Sequence, residues 1–253
     1  MTSAGDRSVL AVGSGKGGVG KSTVTLQVAL ACARRGLHVG ILDADLYGPD
    51  IPLMVGISRQ EQARQWHLWR RGGTSLRPIE RHGLELMSVG FLIAESQAMT
   101  MAAPLLSAAL RQLVLDVEWG ELDLLLVDLP PGTADLQQQL LEVVSLDGAV
   151  VVVGPQDVAH LDARKFVAFL RDAGVPMLGG IENMSGLACP HCGETIDVFP
   201  PVAEERAIWS DGVPPLGRVP LDPQLGSRPA EPQPLFDPIA ERLLDALRAR
   251  PAA

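Results

Sequence analysis

A glycine-rich segment near the start of the chain contains the residue types that bind phosphate groups. It has the pattern Gly-x-x-x-x-Gly-Lys-Ser, from Gly15 to Gly20, Lys21 and Ser22, between an apolar run at 9–12 and a helical pattern. Glycines let the bare backbone wrap phosphates with its amides pointing inward, and the following helix adds the positive end of its dipole. The lysine then bridges β- and γ-phosphate oxygens, and the serine hydroxyl ligates Mg²⁺. We therefore predict a phosphate-binding loop (P-loop) at this position.

Acidic residues follow two apolar runs that have the composition of buried strands. Asp43 and Asp45 come after residues 39–42, and Asp128 comes after residues 124–127. Ligands of doubly wound folds bind beyond the carboxyl ends of the strands, so these carboxylates should meet the P-loop. A carboxylate in that position typically holds Mg²⁺, directly or through water. A lone aspartate at a strand end is usually a turn residue, and that alternative stays open, more for Asp43 than for Asp128.

A pair of cysteines, Cys189 and Cys192, stands in the sequence Cys-Pro-His-Cys-Gly. Two thiolates at this spacing can face one metal centre, and Gly193 lets backbone amides reach sulfur. An iron–sulfur cluster or a structural zinc usually takes four ligands, so either His191 and a carboxylate complete the set or two chains supply two cysteines each. A thioredoxin-like redox pair is disfavoured, because its cysteines would open a helix. The third cysteine, Cys32, lies on an apolar helical stripe, where we expect a buried structural thiol.

The composition limits the classes of partner. The chain has 253 residues, 47% of them hydrophobic, and a formal net charge of −9. This acidic balance argues against binding to nucleic acid, which favours a basic face, but it does not exclude nucleotides. No signal peptide and no apolar run of membrane-spanning length is visible, so we expect a cytoplasmic protein without a membrane partner. The amphipathic pattern at 236–250 carries mixed charges, which favours packing onto the domain over lying on a membrane.

Apolar runs alternate with longer helical patterns along the chain. The predicted strands are residues 9–12, 39–42, 84–89, 124–127, 149–153, 177–181 and 216–219. Helices are predicted over 22–35, ended by Gly36, and around Phe166, ended by Gly174. The alternation predicts an α/β fold, a doubly wound, mostly parallel sheet with helices on both faces, in a single domain over 1–253. We expect residues 58–73 to form a surface excursion, 184–200 a loop region around the cysteines, and 214–238 an ordered loop over the sheet.

Position for position, the phosphate loop resembles the deviant Walker A motif of the group that contains MinD, ParA and the nitrogenase iron protein. Its distinguishing residue is Lys16, a second lysine directly after Gly15. The resemblance implies that Lys16 reaches across a dimer interface to the partner's nucleotide and that ATP closes a sandwich homodimer. A solvated loop lysine is the plainer alternative, although a cation beside phosphates has an obvious electrostatic role.

Further segments resemble the Mrp/ApbC-type iron–sulfur cluster carriers over nearly the whole chain. The run Tyr-Gly-Pro-x-Ile-Pro at 47–52 and the pattern Asn-Met-Ser…Cys-Pro-His-Cys at 183–192 separate these carriers from their MinD and ParA relatives. Two segments depart from the family pattern. Met-Ala-Ala stands at 101–103, where the family usually has an aromatic residue, arginine and glycine, and the excursion at 58–73 has no counterpart.

For the nucleotide, the resemblance implies a P-loop NTPase that binds ATP with Mg²⁺. The nucleotide contacts would come from Gly15, Lys16, Gly17, Gly18, Val19, Gly20, Lys21, Ser22, Thr23 and Asn183, the last of which would hydrogen-bond the adenine ring. Catalysis would depend on Lys16, Lys21 and Asp45, where Asp45 orients the attacking water. Mg²⁺ would be held by Ser22, Asp43 and Asp128.

For the cargo, the resemblance implies that Cys189 and Cys192 of two subunits bridge a [4Fe–4S] cluster. The chain would then be a slow ATPase that receives the cluster from an assembly scaffold and passes it to apo iron–sulfur proteins. Two alternatives stay open. One is a positioning ATPase of the MinD/ParA kind, which predicts a basic membrane helix or DNA patch that is not evident. The other keeps the fold and places a structural zinc at the cysteine pair.

Overall fold

The computed structural model describes residues 7–45, 48–58, 60–61, 76–91, 111–132, 135–189, 191–227 and 229–250. Its strands are β1 (Ser8–Gly13), β2 (Val39–Asp43), β3 (Ile79–Arg81), β4 (Leu84–Ser88), β5 (Leu124–Asp128), β6 (Gly148–Val153), β7 (Met177–Ala188), β8 (Thr195–Ile196) and β9 (Pro215–Leu221). The helices of this part of the chain are α1 (Lys21–Arg34), α2 (Ile51–Met54), α3 (Asp135–Val143), α4 (Asp157–Asp172), α5 (Pro223–Ser227) and α6 (Asp237–Arg248).

The strands form one mostly parallel sheet in the order β3-β4-β2-β5-β1-β6-β7, with β9 parallel to β7 and β8 paired to the end of β7. Only β3 with β4 and β7 with β8 are antiparallel among the described strands. In the register, Asp128 at the end of β5 lies beside Val12 on one side and Asp43 on the other. The carboxyl ends of β1, β2 and β5 therefore meet at one edge, as the parallel sheet requires.

Helices cover both faces of the sheet. Since successive residues of a strand point to opposite faces, neighbouring residues of one strand contact different helices or loops. On β7, Glu182 faces His160 of α4, whereas Asn183 faces Val19 at the start of α1. Strands β5 and β6 are buried along their whole length. That double coverage explains why their sequences are continuous runs of leucine and valine rather than alternating patterns.

The predicted α/β class with a mostly parallel sheet is confirmed, and all seven predicted strands are present. Strand β7 is longer than expected: it runs to Ala188 and does not end at Ile181, so the predicted loop region at 184–200 is a hairpin closed by β8. The polar pair Glu182 and Asn183 obscured this strand, although both side chains find polar partners inside the fold. The short strand β3 was also missed.

The ends of the chain agree with the sequence in part. Helix α1 ends at Arg34, and Gly36 follows in the left-handed region with φ of 87°. The C-terminal amphipathic segment forms α6, which packs onto the domain through buried residues that include Ile239 and Leu243. The segment 214–238 contains β9 and α5 and is thus more regular than the expected loop. Most of the 58–73 excursion and all of 101–103 lie outside the described residues. No described helix is long and apolar enough to cross a bilayer.

Candidate functional site

The P-loop connects β1 to α1 and has the backbone that close wrapping of an anion requires. Gly18 and Gly20 have φ angles of 80° and 79°, in the left-handed region that side chains disfavour. A Cβ on Gly20 would lie 2.2 Å from Nδ2 of Asn183, and one on Gly15 would lie 2.2 Å from the carbonyl carbon of Asp162 in α4. Glycine is therefore needed at 20 for conformation and contact, and at 15 for contact alone.

Asp128 collects three polar side chains from the first turns of α1. Lys21 Nζ lies 2.7 Å from its Oδ2, and the hydroxyl of Ser22 donates to the same oxygen at 2.6 Å. The hydroxyl of Thr25 lies 2.7 Å from the other oxygen, Oδ1. Sequence reasoning missed Thr25; the signal was available, since a residue four positions after Lys21 lies on the same face of the helix.

Asp43 and Asp45 lie beside this cluster at the end of β2. The hydroxyl of Ser88, on the neighbouring strand β4, donates to Asp43 Oδ2 at 3.0 Å, and the backbone N–H of Asp45 lies 3.2 Å from Asp43 Oδ1. Asp45 Oδ2 lies 3.7 Å from Nζ of Lys21. Burial, reinforced by the nearby charge of Asp128, raises the pKa of Asp43 well above its usual range. Ser88 could not be identified from the sequence, because only the strand register places it beside Asp43.

The donor set at this edge of the sheet fits a hard divalent cation. Burial opposes the charge on Lys21, but the charge of Asp128 and the hydrogen bond to it outweigh burial and raise the pKa of the lysine. One ammonium thus faces three carboxylates, those of Asp43, Asp45 and Asp128, and the excess is negative. Within the described ranges, no three His, Cys, Asp or Glu side chains form a ready-made metal group. Mg²⁺ suits this arrangement, since it takes one or two protein oxygens and fills its shell with phosphate oxygens and water.

Lys16 lies in the exposed half of the loop and is partly exposed itself. Its carbonyl oxygen accepts a hydrogen bond from the hydroxyl of Ser14 at 2.9 Å. The segment after β5 braces the loop, since the N–H of Gly132 donates to the carbonyl of Ser14 at 3.0 Å. Among the residues that the structure describes, no carboxylate lies within ion-pair distance of Lys16 Nζ. Its action across a dimer interface stays a prediction.

Asn183 reaches the P-loop from the middle of β7. Its side chain is buried, and its amide Nδ2 donates to the carbonyl oxygen of Val19 at 2.8 Å. The next residue, Met184, has φ of 60°, which is rare for a residue with a side chain and marks a locally strained backbone. The observed role of Asn183 is thus a hydrogen bond to the P-loop. Its predicted contact with the adenine ring stays a prediction.

The cysteine pair lies at the tip of the hairpin formed by β7 and β8. The N–H of Cys189 donates to the carbonyl of Glu194 at 2.8 Å, and the N–H of Gly193 returns to the carbonyl of Cys189 at 2.9 Å. Gly193 has φ of 76°, so its lack of a side chain permits this turn. Backbone N–H groups of Cys192 and then His191 donate to sulfur and lower the pKa of the Cys189 thiol. These donors favour the thiolate form of Cys189, which is the form that ligates metals.

The other side chains near the tip do not complete a metal site within one chain. Cys192 is exposed, and the carboxylate of Glu194 lies 3.9 Å from its sulfur. No third metal-ligating residue joins the pair among the described residues. Cys32, by contrast, is buried as predicted, and burial raises the pKa of its thiol to about 11, which makes it unreactive.

The chain matches a known family over almost its whole length. The chain matches, over residues 6–245, the family model described as ParA: NUBPL iron-transfer P-loop NTPase. It belongs to this family. Membership confirms the resemblance to iron–sulfur cluster carriers that the sequence motifs indicated.

Relatives of this family member include named carriers. An iron–sulfur cluster carrier protein of Deinococcus radiodurans is 44% identical over 218 residues, which cover 86% of this chain and 60% of that one. An iron–sulfur cluster carrier protein of Escherichia coli is 42% identical over 217 residues, covering 86% of this chain and 57% of that one. The chain thus spans less than two-thirds of the length of these two relatives.

Solved structures resemble this family member over almost all of its length. A nucleotide-binding protein of Archaeoglobus fulgidus, in complex with ADP, has a TM-score of 0.71 and 31% identity over 97% of this chain and 92% of that one. The cell division ATPase MinD of Pyrococcus furiosus has a TM-score of 0.69 at 21% identity, with 94% of this chain and 98% of that one covered. At that identity the likeness to MinD concerns the fold alone.

Proposed function

We propose that this chain is an ATP-hydrolysing iron–sulfur cluster carrier that acts as a homodimer in the cytoplasm. Each subunit would be one P-loop domain. Two subunits would hold one [4Fe–4S] cluster between their cysteine hairpins, accept it from an assembly scaffold and pass it to apo iron–sulfur proteins. The observation that carries the proposal is the place of the cysteines: Cys189 and Cys192 lie at the exposed tip of β7, the strand that touches the P-loop through Asn183.

The nucleotide half of the proposal assigns a role to each group at the sheet edge. Lys21 would exchange Asp128 for phosphate oxygens, and the amides of the loop would bind the remaining phosphate charge. Asp45, 3.7 Å from Lys21 Nζ, would orient the attacking water. Ser22, Asp43 and Asp128 would hold Mg²⁺, directly or through water, and the ion would neutralise charge on the transferred phosphate. Lys16 would act on the nucleotide of the other subunit.

The cargo half follows from ligand number. One hairpin supplies two thiolates, and a [4Fe–4S] cluster takes four, so two hairpins from two subunits match the cluster. The amide donors at the tip favour the thiolate of Cys189 before any metal is bound. Cys192, at the same tip, is exposed. An exposed site suits a cargo that must leave, whereas a resident cofactor is usually enclosed.

Anaerobic reconstitution with iron and sulfide, followed by size-exclusion chromatography, tests cargo and dimer together. We expect a brown species that elutes as a dimer of the 26.9 kDa chain and carries one cluster per two chains. The Cys189→Ala variant should stay colourless, whereas Cys32→Ala should not differ from the wild type, because Cys32 is buried away from the tip. A colourless wild-type protein with stoichiometric zinc would support the structural-zinc alternative and contradict the carrier.

The coupling between ATP and cluster needs its own experiment. Lys16→Ala and Lys21→Ala proteins, each loaded with cluster, should transfer it to an apo-ferredoxin more slowly than the wild type in the presence of ATP. Lys165→Ala is the matched control, since Lys165 is an exposed lysine of α4 that pairs only with Asp162 one turn away. Equal transfer rates for all four proteins would show that nucleotide does not govern the cluster.

A further inference from the structure

A cavity of about 530 Å³ lies between the start of α4, the middle of β7 and the segment that follows β8. Its walls are mainly apolar and aromatic, with Phe199, Pro200, Pro201 and Trp209 on one side and Met184 on the other. No P-loop residue is among the described residues that line it. We call this cavity the α4–β7 groove. It is of the size that holds a few residues of an extended peptide.

The floor of the α4–β7 groove carries a carboxylate with an unused oxygen. Glu182 is a β7 residue with a side chain only 9% exposed. Its Oε1 accepts two hydrogen bonds from Arg218, at 3.0 Å from Nε and 2.7 Å from Nη2. Its Oε2 accepts no hydrogen bond from any residue in the described part of the chain. This oxygen is not one of the buried unpaired atoms of the described residues, so it is accessible from the groove and has an open position for a donor group.

His160 does not fill that position. Its ring is fully buried, and Nδ1 accepts a hydrogen bond from the backbone N–H of Ile208 at 3.3 Å. The proton of the neutral ring is therefore on Nε2, which has no partner among the described residues and lies 3.8 Å from Glu182 Oε2, too far for a hydrogen bond. Burial lowers the pKa of His160, against the opposing charges of Glu182 and Asp157, and so favours the neutral ring. Among the described residues, Arg218 is the arginine or lysine that pairs with Glu182.

The charge and the rim of the groove indicate the chemistry of its occupant. Three acids line it, Glu182, Asp197 and Glu204, and Arg218 is the one arginine or lysine among the described lining residues. The rim continues into exposed apolar side chains in β8 and directly after it, with Ile196 47%, Val198 48% and Phe199 39% exposed. Exposed apolar side chains beside a groove are typical of sites that bind another protein. A second copy docked groove to groove is disfavoured, because it would bring the same three acids.

We propose that the α4–β7 groove docks an extended, apolar peptide segment of a partner protein, with a lysine or arginine side chain that pairs with Glu182 Oε2. Apolar side chains beside it would pack on Phe199 and Trp209. The inference rests on the proposed carrier function for the identity of the partner, a donor or acceptor of the cluster. The chain leaves the cysteine hairpin through β8, and the residues directly after β8 form one wall of the groove. A partner docked in the groove would therefore lie next to the cargo.

Peptide selection on the intact chain tests the proposal. A random heptapeptide phage library is selected on the immobilised wild-type protein, and the enriched sequence is synthesised with a fluorescein label for anisotropy. We expect apolar peptides with a lysine or arginine, and at least a tenfold weaker affinity for Glu182→Gln and Phe199→Ala. Leu115→Ala is the control, because Leu115 is also a large exposed apolar residue, 56% exposed and not among the residues that line the groove. Circular dichroism checks that each variant is folded. If Glu182→Gln does not fold, Phe199→Ala still tests the groove.

Three results would overturn the inference: no enriched peptide, peptides without a basic residue, or affinity that is equal in the wild type and both groove variants. A groove occupied by a second copy would appear as a dimer that Phe199→Ala dissociates while peptide has no effect, and this also overturns it. Cluster reconstitution on the same preparations separates the two proposals. If the peptide binds as expected while the wild type takes up no cluster, the groove stands and the carrier function fails.

Discussion

The side-chain amide of Asn183 donates a 2.8 Å hydrogen bond to the carbonyl oxygen of Val19, so the strand that ends in the cysteine hairpin is fastened to the P-loop. The preceding residue, Glu182, points to the opposite face of the sheet and forms the floor of the α4–β7 groove. Six residues after Asn183, Cys189 begins the hairpin tip. One strand therefore contacts the proposed nucleotide site, partner site and cargo site.

Removing the amide of Asn183 should weaken nucleotide binding. Asn183→Ala leaves the Val19 carbonyl without its donor, and an unpaired buried carbonyl costs about 1–3 kcal/mol. We expect the affinity for an ATP analogue, measured by isothermal titration calorimetry, to fall about tenfold, the equivalent of about 1.4 kcal/mol. Ser185→Ala is the control, because it removes one side-chain hydrogen bond from the same strand, to the carbonyl of Val219. Equal affinities of the two variants would contradict a specific link between Asn183 and the loop.

Gly20 should tolerate no side chain. Gly20→Ala places a methyl group 2.2 Å from Asn183 Nδ2 at a φ of 79°, so it adds a steric clash to backbone strain. Gly174→Ala has the strain alone, with φ of 71° and nothing within 4 Å of the added carbon. We expect urea unfolding to show a loss of about 1 kcal/mol for Gly174→Ala and of about 3 kcal/mol for Gly20→Ala. Similar losses in both variants would mean that the Asn183 side chain moves away from the added methyl group with no further loss of stability.

Asp43→Asn should stabilise the protein at neutral pH when Mg²⁺ and nucleotide are removed. The pKa of Asp43 is raised in the folded state by burial and by the charge of Asp128, so the folded state holds its proton more tightly than the unfolded chain, in which the pKa is near 3.8. Stability then falls as the pH rises above 3.8, and the full penalty is present once the pH exceeds the folded-state pKa. The asparagine has no such penalty, and we expect a gain of about 1 kcal/mol at pH 7.5 that shrinks towards pH 4.

Urea unfolding in EDTA at several pH values measures this effect. Asp116→Asn is the control for the loss of one negative charge, because Asp116 is an exposed aspartate. A variant Asp43→Asn that is less stable than the wild type at pH 7.5 would show that the hydrogen bond from Ser88 needs the charged carboxylate. A gain of stability together with lost ATP hydrolysis would fit a site kept unfavourable for the sake of function.

Cys189 should be more reactive than the buried thiol of Cys32. Backbone N–H groups of Cys192 and His191 lower the pKa of Cys189, whereas burial raises the pKa of Cys32 to about 11. In the reduced, metal-free protein we expect iodoacetamide to modify Cys189 at pH 7 and to leave Cys32 intact, as measured by peptide mass spectrometry. Gly193→Ala strains the turn and should shift the pH midpoint of Cys189 alkylation upward. An unchanged midpoint in that variant would show that the backbone hydrogen bonds of the turn do not lower the pKa of Cys189.

The sequence was sufficient for features whose residues are close together along the chain. The P-loop, the strand-end aspartates and the cysteine pair each fall within a few residues, and α1 and the buried strands followed from apolar periodicity. The approach of Asp43 and Asp128 was predictable as well, because parallel strands end at a common edge. The roles assigned to these residues in catalysis and cluster binding stay predictions.

The remaining features depend on pairings over long distances that no local pattern encodes. Ser88 meets Asp43 through strand register, and the groove joins His160, Glu182 and Arg218 from three separate elements. The end of β7 was missed because its polar residues resemble a loop until their partners are known. A two-residue strand such as β8 has no periodicity to detect.

The contact between Gly15 and α4 divides the P-loop into a closely packed half and an open half. Added carbons on Gly13 and Gly15 would lie 2.1 Å from the Phe166 ring and 2.2 Å from the Asp162 backbone, so this half is packed directly against the helix. Gly18, in the other half, has nothing within 4 Å of an added carbon. Because packed interiors transmit strain, we expect a displacement of the packed half to reach α4 and a rearrangement near Gly18 to cost less. Since the first turn of α4 carries His160, the walls of the two sites are mechanically continuous.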